Sequence, residues 1–131
     1  MKLLLDTHVF IWYISGEKRL PESMREAIRD PMNEVYLSVV SLWEAIIKQQ
    51  IGKLNFPELA ETYLPVQRER HYIESLPLNE RAVSNLAKLA PVHRDPFDRM
   101  LICQAIEHGL SIVTVDEIIP NYPVSIWKPV E

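Results

Sequence analysis

The sequence contains little cysteine and little glycine. Cys103 is the single cysteine in 131 residues, so an internal disulfide is impossible, and one thiol cannot build a structural zinc site. Three glycines are too few for a glycine-rich phosphate loop, which disfavours an ATPase or a dinucleotide-binding fold. No apolar run is long enough to span a bilayer, and Asp6 interrupts the short apolar run at the N-terminus. These absences favour a protein of the reducing cytoplasm, with Cys103 as a buried structural thiol.

Positive charge is also in short supply. The chain has 14 Lys and Arg against 18 Asp and Glu, a formal net charge of −4. A protein that coats nucleic acid is usually basic, so that class is disfavoured. A nuclease stays possible, because a local basic rim can steer a polyanion to an acidic site. An acidic body also suits a basic protein partner.

Hydrophobic patterns predict strands that alternate with helices. The predicted strands are 2–5, 35–38, 72–75, 110–115 and 124–127. The predicted helices are 7–14, 21–29, 41–51, 57–70 with a break or kink at Pro65, 79–89, and one from Asp95 to Gly109. The order predicts an α/β fold, with a mostly parallel sheet, helices on both faces and a single domain over residues 1–131.

Four acidic residues stand at the ends of predicted elements: Asp6, Glu44, Asp98 and Asp116. Two follow strands, and two lie near the starts of helices that begin at the same edge of the sheet. The carboxyl edge of a parallel sheet is where such folds build their ligand crevice. Because gathered carboxylates repel each other unless a hard cation compensates them, the pattern predicts a Mg²⁺- or Mn²⁺-dependent hydrolase.

Each acid also has a purely structural interpretation. Asp6 would cap the helix after it, Asp116 would hold a turn, and Glu44 would close a capping box with Ser41. Against this, Glu44 heads the apolar helical stripe of Ile47 and Ile51, where an unpaired carboxylate is costly.

Asp95 is the predicted cap of the last helix, with Pro96 as its first residue. Asp98 is therefore less needed as a cap, and it shares a face with Ile102 and Ala105. Four independent caps at one edge are less expected than one site.

Other polar side chains would support such a site. Three hydroxyl groups beside the acids could hold a water of the cation's hydration shell: Thr7, Ser41 and Thr114. Four basic side chains are candidates for phosphate contacts: Arg94, Arg99, Lys48 and Lys53.

Four segments resemble a PIN-domain ribonuclease of the VapC toxin type: Leu3 to His8, Ser38 to Glu44, His93 to Arg99, and Val113 to Asp116. Their order and separations match, and they cover the chain nearly end to end.

The resemblance implies a three-layer α/β/α sandwich and endonucleolytic cleavage of RNA with Mg²⁺ or Mn²⁺. It assigns the family's acidic positions, which are catalytic and bind the metal, to Asp6, Glu44, Asp98 and Asp116, with Thr114 nearby. It also implies a cognate antitoxin, which blocks the site and represses the shared operon, and a homodimer.

Three other readings are open. A haloacid-dehalogenase-like phosphatase would need a second Asp at position 8, where this chain has His8. A receiver-like regulatory domain would need an acidic pair before its first helix, which is absent. A protein-binding module without nuclease activity would use all four acids as caps, and metal binding would distinguish it from the others.

Overall fold

The structure is a computed structural model that describes residues 1–91 and 95–130. Strands β1 to β4 are Lys2–Leu5, Glu34–Ser38, Glu74–Leu76 and Ser111–Val113. Helices α1 to α6 are Thr7–Ser15, Glu22–Arg29, Val39–Gln50, Ala60–Arg70, Glu80–Ser84 and Pro96–His108. Across the described ranges, no helix is long and apolar enough to cross a membrane.

The strands form one sheet in which every pairing between them is parallel. The strand order is β3-β2-β1-β4, so β1 has a neighbour on each side. In register, Leu4 of β1 lies opposite Tyr36 of β2 and Ile112 of β4. A central parallel strand is covered on both faces, which is why Lys2 is followed by three fully buried leucines. The expected parallel α/β sheet is confirmed.

Two hydrophobic cores lie on opposite faces of this sheet. Because successive side chains of a strand point to opposite faces, Leu3 and Leu5 join one core and Leu4 joins the other. The first core includes Phe10 of α1 together with residues of α2 and α4. The second is built largely on α6, including Leu101. The result is the predicted three-layer α/β/α arrangement.

Several helix ends follow the sequence signals. Gly16 and Gly109 close α1 and α6 in the left-handed conformation, with φ of 67° and 65°. Asp95 caps α6 through its side chain, and Pro96 is the first helical residue, as predicted.

The start of α3 differs from the prediction. The helix begins at Val39, two residues before Ser41, because the Ser38 hydroxyl accepts a hydrogen bond from the Val40 N–H at 2.9 Å and so caps the helix. Glu44 therefore lies in the second turn. The helix start predicted at Ser41 is wrong, and the structural alternative of a capping box formed by Ser41 and Glu44 is excluded.

Other boundaries also shift. Helix α4 begins at Ala60 instead of Pro57 and continues through Pro65, so the predicted break there is wrong. Strand β3 begins at Glu74 instead of Tyr72, because Tyr72 has a φ of 56°, which is not an extended conformation. The predicted helix 79–89 becomes α5 followed by a short 3₁₀ helix, Asn85–Lys88.

The C-terminal elements are shorter than predicted. Strand β4 ends at Val113, since the chain turns where the Asp116 N–H donates to the Thr114 hydroxyl. In place of a strand over 124–127, the described chain has one isolated parallel bridge between Ile126 and Ile112.

Candidate functional site

The four predicted acids gather at the carboxyl edge of the sheet. Asp6 follows β1 directly, and Asp116 lies three residues beyond β4. Glu44 is on α3, which follows β2, and Asp98 is in the first turn of α6. Asp6, Glu44 and Asp98 are buried, with 6%, 1% and 8% of their surface exposed, and Asp116 is half-buried. Burying three carboxylates is unfavourable unless something compensates their charge.

Asp6 does not use its side chain as a helix cap. It occupies the N-cap position of α1, but its carboxylate makes no cap hydrogen bond. Instead, the Thr114 hydroxyl donates to Asp6 Oδ2 at 2.7 Å. Burial raises the pKa of Asp6, although the Thr114 hydrogen bond and the nearby His8 oppose it, and the charge of Glu44 adds to the rise. The structural alternative, in which the Asp6 side chain caps α1, is excluded, and the side chain instead contacts the residue after β4.

Among the described residues, a single side chain binds the Glu44 carboxylate. Its Oε2 lies 2.5 Å from the Lys48 ammonium, one turn further along α3. Its Oε1 is buried and has no hydrogen-bond partner within the described part of the chain. A buried carboxylate oxygen without a hydrogen-bond partner destabilises the fold, and a bound cation would offset this cost.

The carboxyl group of Asp98 is also perturbed by its surroundings. Its pKa is raised to about 8, first by burial and then by the charges of neighbouring carboxylates. Those neighbours are Asp6, Asp95, Glu44 and Asp116. The four predicted acids therefore share one electrostatic field.

Asp95 and Asp98 have different roles at the start of α6. Asp95 Oδ1 accepts from the N–H groups of Phe97 and Asp98, at 2.9 Å and 3.4 Å. Asp95 is thus the cap, and the Asp98 carboxylate lies among the charges of the cluster.

Asp116 acts in part as a turn residue, which is the structural alternative to a role in the site. Its Oδ1 accepts from the N–H groups of Ile118 and Ile119, at 2.6 Å and 3.3 Å, which is the predicted turn contact. Its charge nevertheless acts on Asp98. Asp116 is a turn residue that also belongs to the acidic cluster.

The three predicted hydroxyl groups are buried and connect elements around the acids. Thr7 donates to Ser41 at 2.8 Å, which ties the start of α1 to α3. The Thr114 hydroxyl donates to Asp6 and accepts from the Asp116 N–H at 3.0 Å, which links two of the acids.

The basic candidates are placed unequally. Lys48 contacts Glu44, and its pKa is raised: burial would lower it, but the Glu44 hydrogen bond and the charges of Glu44 and two further carboxylates outweigh burial. Arg99 is half-buried, and its Nε is a buried atom without a hydrogen-bond partner within the described ranges. Lys53 is exposed, whereas His93 and Arg94 lie outside the described residues.

Sequence reasoning missed two contacts of the site. One is the Lys48–Glu44 ion pair, for which the i, i+4 spacing was an available signal. The other is a buried hydrogen bond of 2.5 Å from the Ser38 hydroxyl to Gln104 Oε1, which joins the end of β2 to α6. No local sequence signal indicates this second contact, since 66 residues separate the partners.

The donor set suits a hard divalent cation in chemistry, since it consists of carboxylates. Within residues 1–91 and 95–130, however, no three acidic, histidine or cysteine side chains are arranged to hold a metal ion as they stand. The buried Oε1 of Glu44, which has no hydrogen-bond partner in the described part of the chain, is the group that a cation would satisfy. The residues present therefore fit a divalent cation, provided that some of these side chains move.

The amino-acid sequence matches a known protein family over most of its length. The sequence profile of the PIN domain matches residues 3–124, and the chain belongs to the PIN domain family.

Individual relatives are similar over nearly the whole chain. Ribonuclease VapC22 of Mycobacterium tuberculosis (strain ATCC 25618 / H37Rv) is 26% identical, over 95% of this chain and 98% of that protein. The crystal structure of VapBC2 from Rickettsia felis, bound to a DNA fragment from their promoter, has a similar fold with a TM-score of 0.71, 17% identity and 98% coverage of both chains. A toxin–antitoxin complex from Klebsiella pneumoniae is similar with a TM-score of 0.63, 14% identity and 98% coverage of both chains.

Proposed function

We propose that this protein is a divalent-cation-dependent endoribonuclease, the toxin of a type II toxin–antitoxin module. The observation that carries the proposal is the cluster of three buried carboxylates, in which one Glu44 oxygen has no partner among the described residues. Membership of the PIN domain family supports it, as does the relative that is named a ribonuclease. The substrate is RNA, and the reaction is hydrolysis of its phosphodiester bonds.

We assign the acids as the ligands of the cation. Asp6 and Asp98 hold it directly, and Glu44 and Asp116 complete the set, with Mg²⁺ or Mn²⁺ as the ion. When bound, the cation supplies Lewis acidity and makes water a stronger nucleophile toward phosphorus. The carboxylates must be ionised to bind a cation. The positive charge of a bound cation would favour the ionised form, and would so oppose the rise in the pKa of Asp6 and of Asp98.

The surrounding side chains position these acids. Thr114 fixes one oxygen of Asp6 by its 2.7 Å hydrogen bond. The pair of Thr7 and Ser41 holds α1 against α3, and so keeps Asp6 and Glu44 in one crevice. Arg99 and Arg94 are our candidates for contacts with substrate phosphates.

The partners follow from the same proposal. A cognate antitoxin covers the acidic site, and the similar fold found in a toxin–antitoxin complex supports this partner. A homodimer of single PIN-like domains and a cytoplasmic location stay predictions, to be checked by light scattering and by cell fractionation.

The deciding experiment is cleavage of a mixed RNA pool by purified, antitoxin-free protein with Mg²⁺ or Mn²⁺. We expect cleavage that stops with EDTA and falls by orders of magnitude in Asp6→Asn and Asp98→Asn. Asp30→Asn is the matched control, because it removes the same charge from an exposed aspartate outside the cluster.

Cleavage that survives EDTA, or that Asp6→Asn leaves intact, would refute the proposed site. An absence of cleavage in every folded sample, with every RNA, would instead favour the acidic-pocket binding or receiver-like alternative.

A further inference from the structure

Lys48 is a basic side chain in direct contact with the acidic cluster. Its ammonium lies 2.5 Å from Glu44 Oε2, and the two residues are one turn apart on α3. The Lys48 side chain is only 26% exposed, and that of Glu44 only 2%. The positive charge of Lys48 also interacts with Asp95 and Asp98.

This contact differs from the surface ion pairs of the same protein. Arg25 and Glu22, for example, form a pair in α2 in which the Glu22 side chain is 66% exposed. Water solvates exposed charged groups both when they are paired and when they are apart, so a surface ion pair contributes little stability. Glu44 has no such access to water, so loss of the Lys48 ammonium would leave a buried negative charge uncompensated.

The two carboxylate oxygens of Glu44 have different surroundings. One oxygen is bound by a cation that the chain itself supplies, and the other is buried without a partner in the described residues. No three described acidic, histidine or cysteine side chains stand ready to hold a metal ion. A cation that takes Glu44 as a ligand must therefore compete with the Lys48 ammonium for the same carboxylate.

We propose that Lys48 is the internal counter-ion of the acidic cluster in the cation-free protein, and that a divalent cation displaces its ammonium from Glu44 on binding. This inference rests on the proposed function, because it takes the cluster as the cation site. Lys48 then lowers the affinity of the cluster for the cation and protects the folded chain while the cluster is empty. It is a positioning residue, since it acts through Glu44.

The test is a calorimetric titration with Mn²⁺ at neutral pH, using the full chain without RNA. We expect Lys48→Gln to bind Mn²⁺ with a Kd about tenfold lower than wild type, since one competing positive charge is removed at short range. Lys48→Arg should bind like wild type. Lys53→Gln is the matched control: it removes the same charge from an exposed site near the end of α3, and its Kd should change by less than about twofold because salt screens it.

Thermal unfolding in EDTA gives a second readout that does not depend on cation binding. Lys48→Gln should lose Tm relative to wild type and to Lys53→Gln, and Lys48→Arg should keep most of it. If Lys48→Gln folds only when Mn²⁺ is present, the counter-ion role is supported all the more directly.

Two results would overturn the inference. A Kd for Lys48→Gln that equals or exceeds that of wild type would show that the ammonium does not compete, while the cluster stays a cation site. Failure of wild type and every variant to bind Mn²⁺ at millimolar concentration would remove the cation site itself, and the proposed function with it. RNA cleavage that stops with EDTA is expected in the first case, where the cation site remains, and is not expected in the second.

Discussion

Thr114 connects two acids through a single hydroxyl group. That group donates to Asp6 Oδ2 at 2.7 Å and accepts from the Asp116 N–H at 3.0 Å. Thr114→Val keeps the shape of the side chain but removes both contacts. We expect it to lower the free energy of unfolding by about 1–3 kcal/mol, because a buried carboxylate loses its donor. Urea unfolding of the cation-free protein at neutral pH measures the loss.

Thr62→Val is the control for this substitution, because Thr62 is exposed on α4. Surface substitutions of this kind change stability by less than about 0.5 kcal/mol. Equal losses in the two variants would show that the bond to Asp6 contributes nothing.

Asp98 makes the stability of the cation-free protein depend on pH. Its pKa in the folded protein is about 8, well above the ordinary value of 3.8 that the unfolded chain approaches. Between about pH 4 and about pH 8 the folded state therefore binds more protons than the unfolded state. The stability contributed by protonated Asp98 is complete at the acidic end of this window and is lost as pH rises through the folded pKa.

We accordingly expect chemical unfolding in EDTA to give a lower free energy of unfolding at mildly alkaline than at mildly acidic pH. Asp98→Asn should make this decline shallower, and Asp30→Asn should not. A profile that rises with pH across the window in wild type, or one that Asp98→Asn leaves unchanged, would contradict the assignment.

At the scale of elements, the end of β2 and the start of α3 depend on one serine. The Ser38 hydroxyl accepts from the Val40 N–H and donates to the buried Gln104 Oε1. Ser38→Ala removes a helix cap and leaves a buried amide oxygen without its donor. We expect a loss of about 2–3 kcal/mol in the free energy of unfolding, as the sum of the two effects. Ser15→Ala, at the exposed end of α1, should cost much less in the same urea titration.

The elements that the sequence predicted well are those whose signals are local. Glycine at a helix end and an Asp-Pro start are set by backbone sterics and hydrogen bonds within a few residues, so Gly16, Gly109 and Asp95 act as expected. The apolar run of β1 likewise predicts a strand that is covered on both faces. Because the ends of parallel strands meet at one edge, the approach of the four acids could be predicted from those elements.

The incorrect predictions concern contacts between residues far apart in the sequence and a residue with an unusual backbone conformation. Ser38 was not recognised as the cap of α3 because two serines compete there, and its contact with Gln104 is visible only in the folded protein. The left-handed conformation of Tyr72, which delays the start of β3, is rare for a non-glycine residue. The Lys48 contact was overlooked because an exposed position is the usual one for lysine.

At the scale of the whole molecule, the cation and the fold should stabilise each other. A ligand that binds only the folded state at about 100 times its Kd adds about 2.7 kcal/mol of stability. For a chain of this size that corresponds to a rise of roughly 10 °C in Tm. We expect Mn²⁺ to produce such a rise in wild type and little change in Asp98→Asn.

The measurement is a thermal melt over a series of Mn²⁺ concentrations, with Ca²⁺ as a second hard cation and K⁺ at equal ionic strength as the control. A Tm that responds equally to K⁺ would indicate general screening of the net charge of −4 instead of a site.

The hydrogen bond between Thr114 and Asp6 joins residues 108 positions apart, and it lies where β4 pairs with β1. The first acid of the cluster is therefore translated early, whereas Asp98 and Asp116 come late. A ribosome that makes this chain carries an incomplete cluster until nearly the whole sequence has emerged from its exit tunnel. A chain that stops before Asp98 holds Asp6 and Glu44 without the other two acids, so under the proposed assignment it lacks the complete cation site.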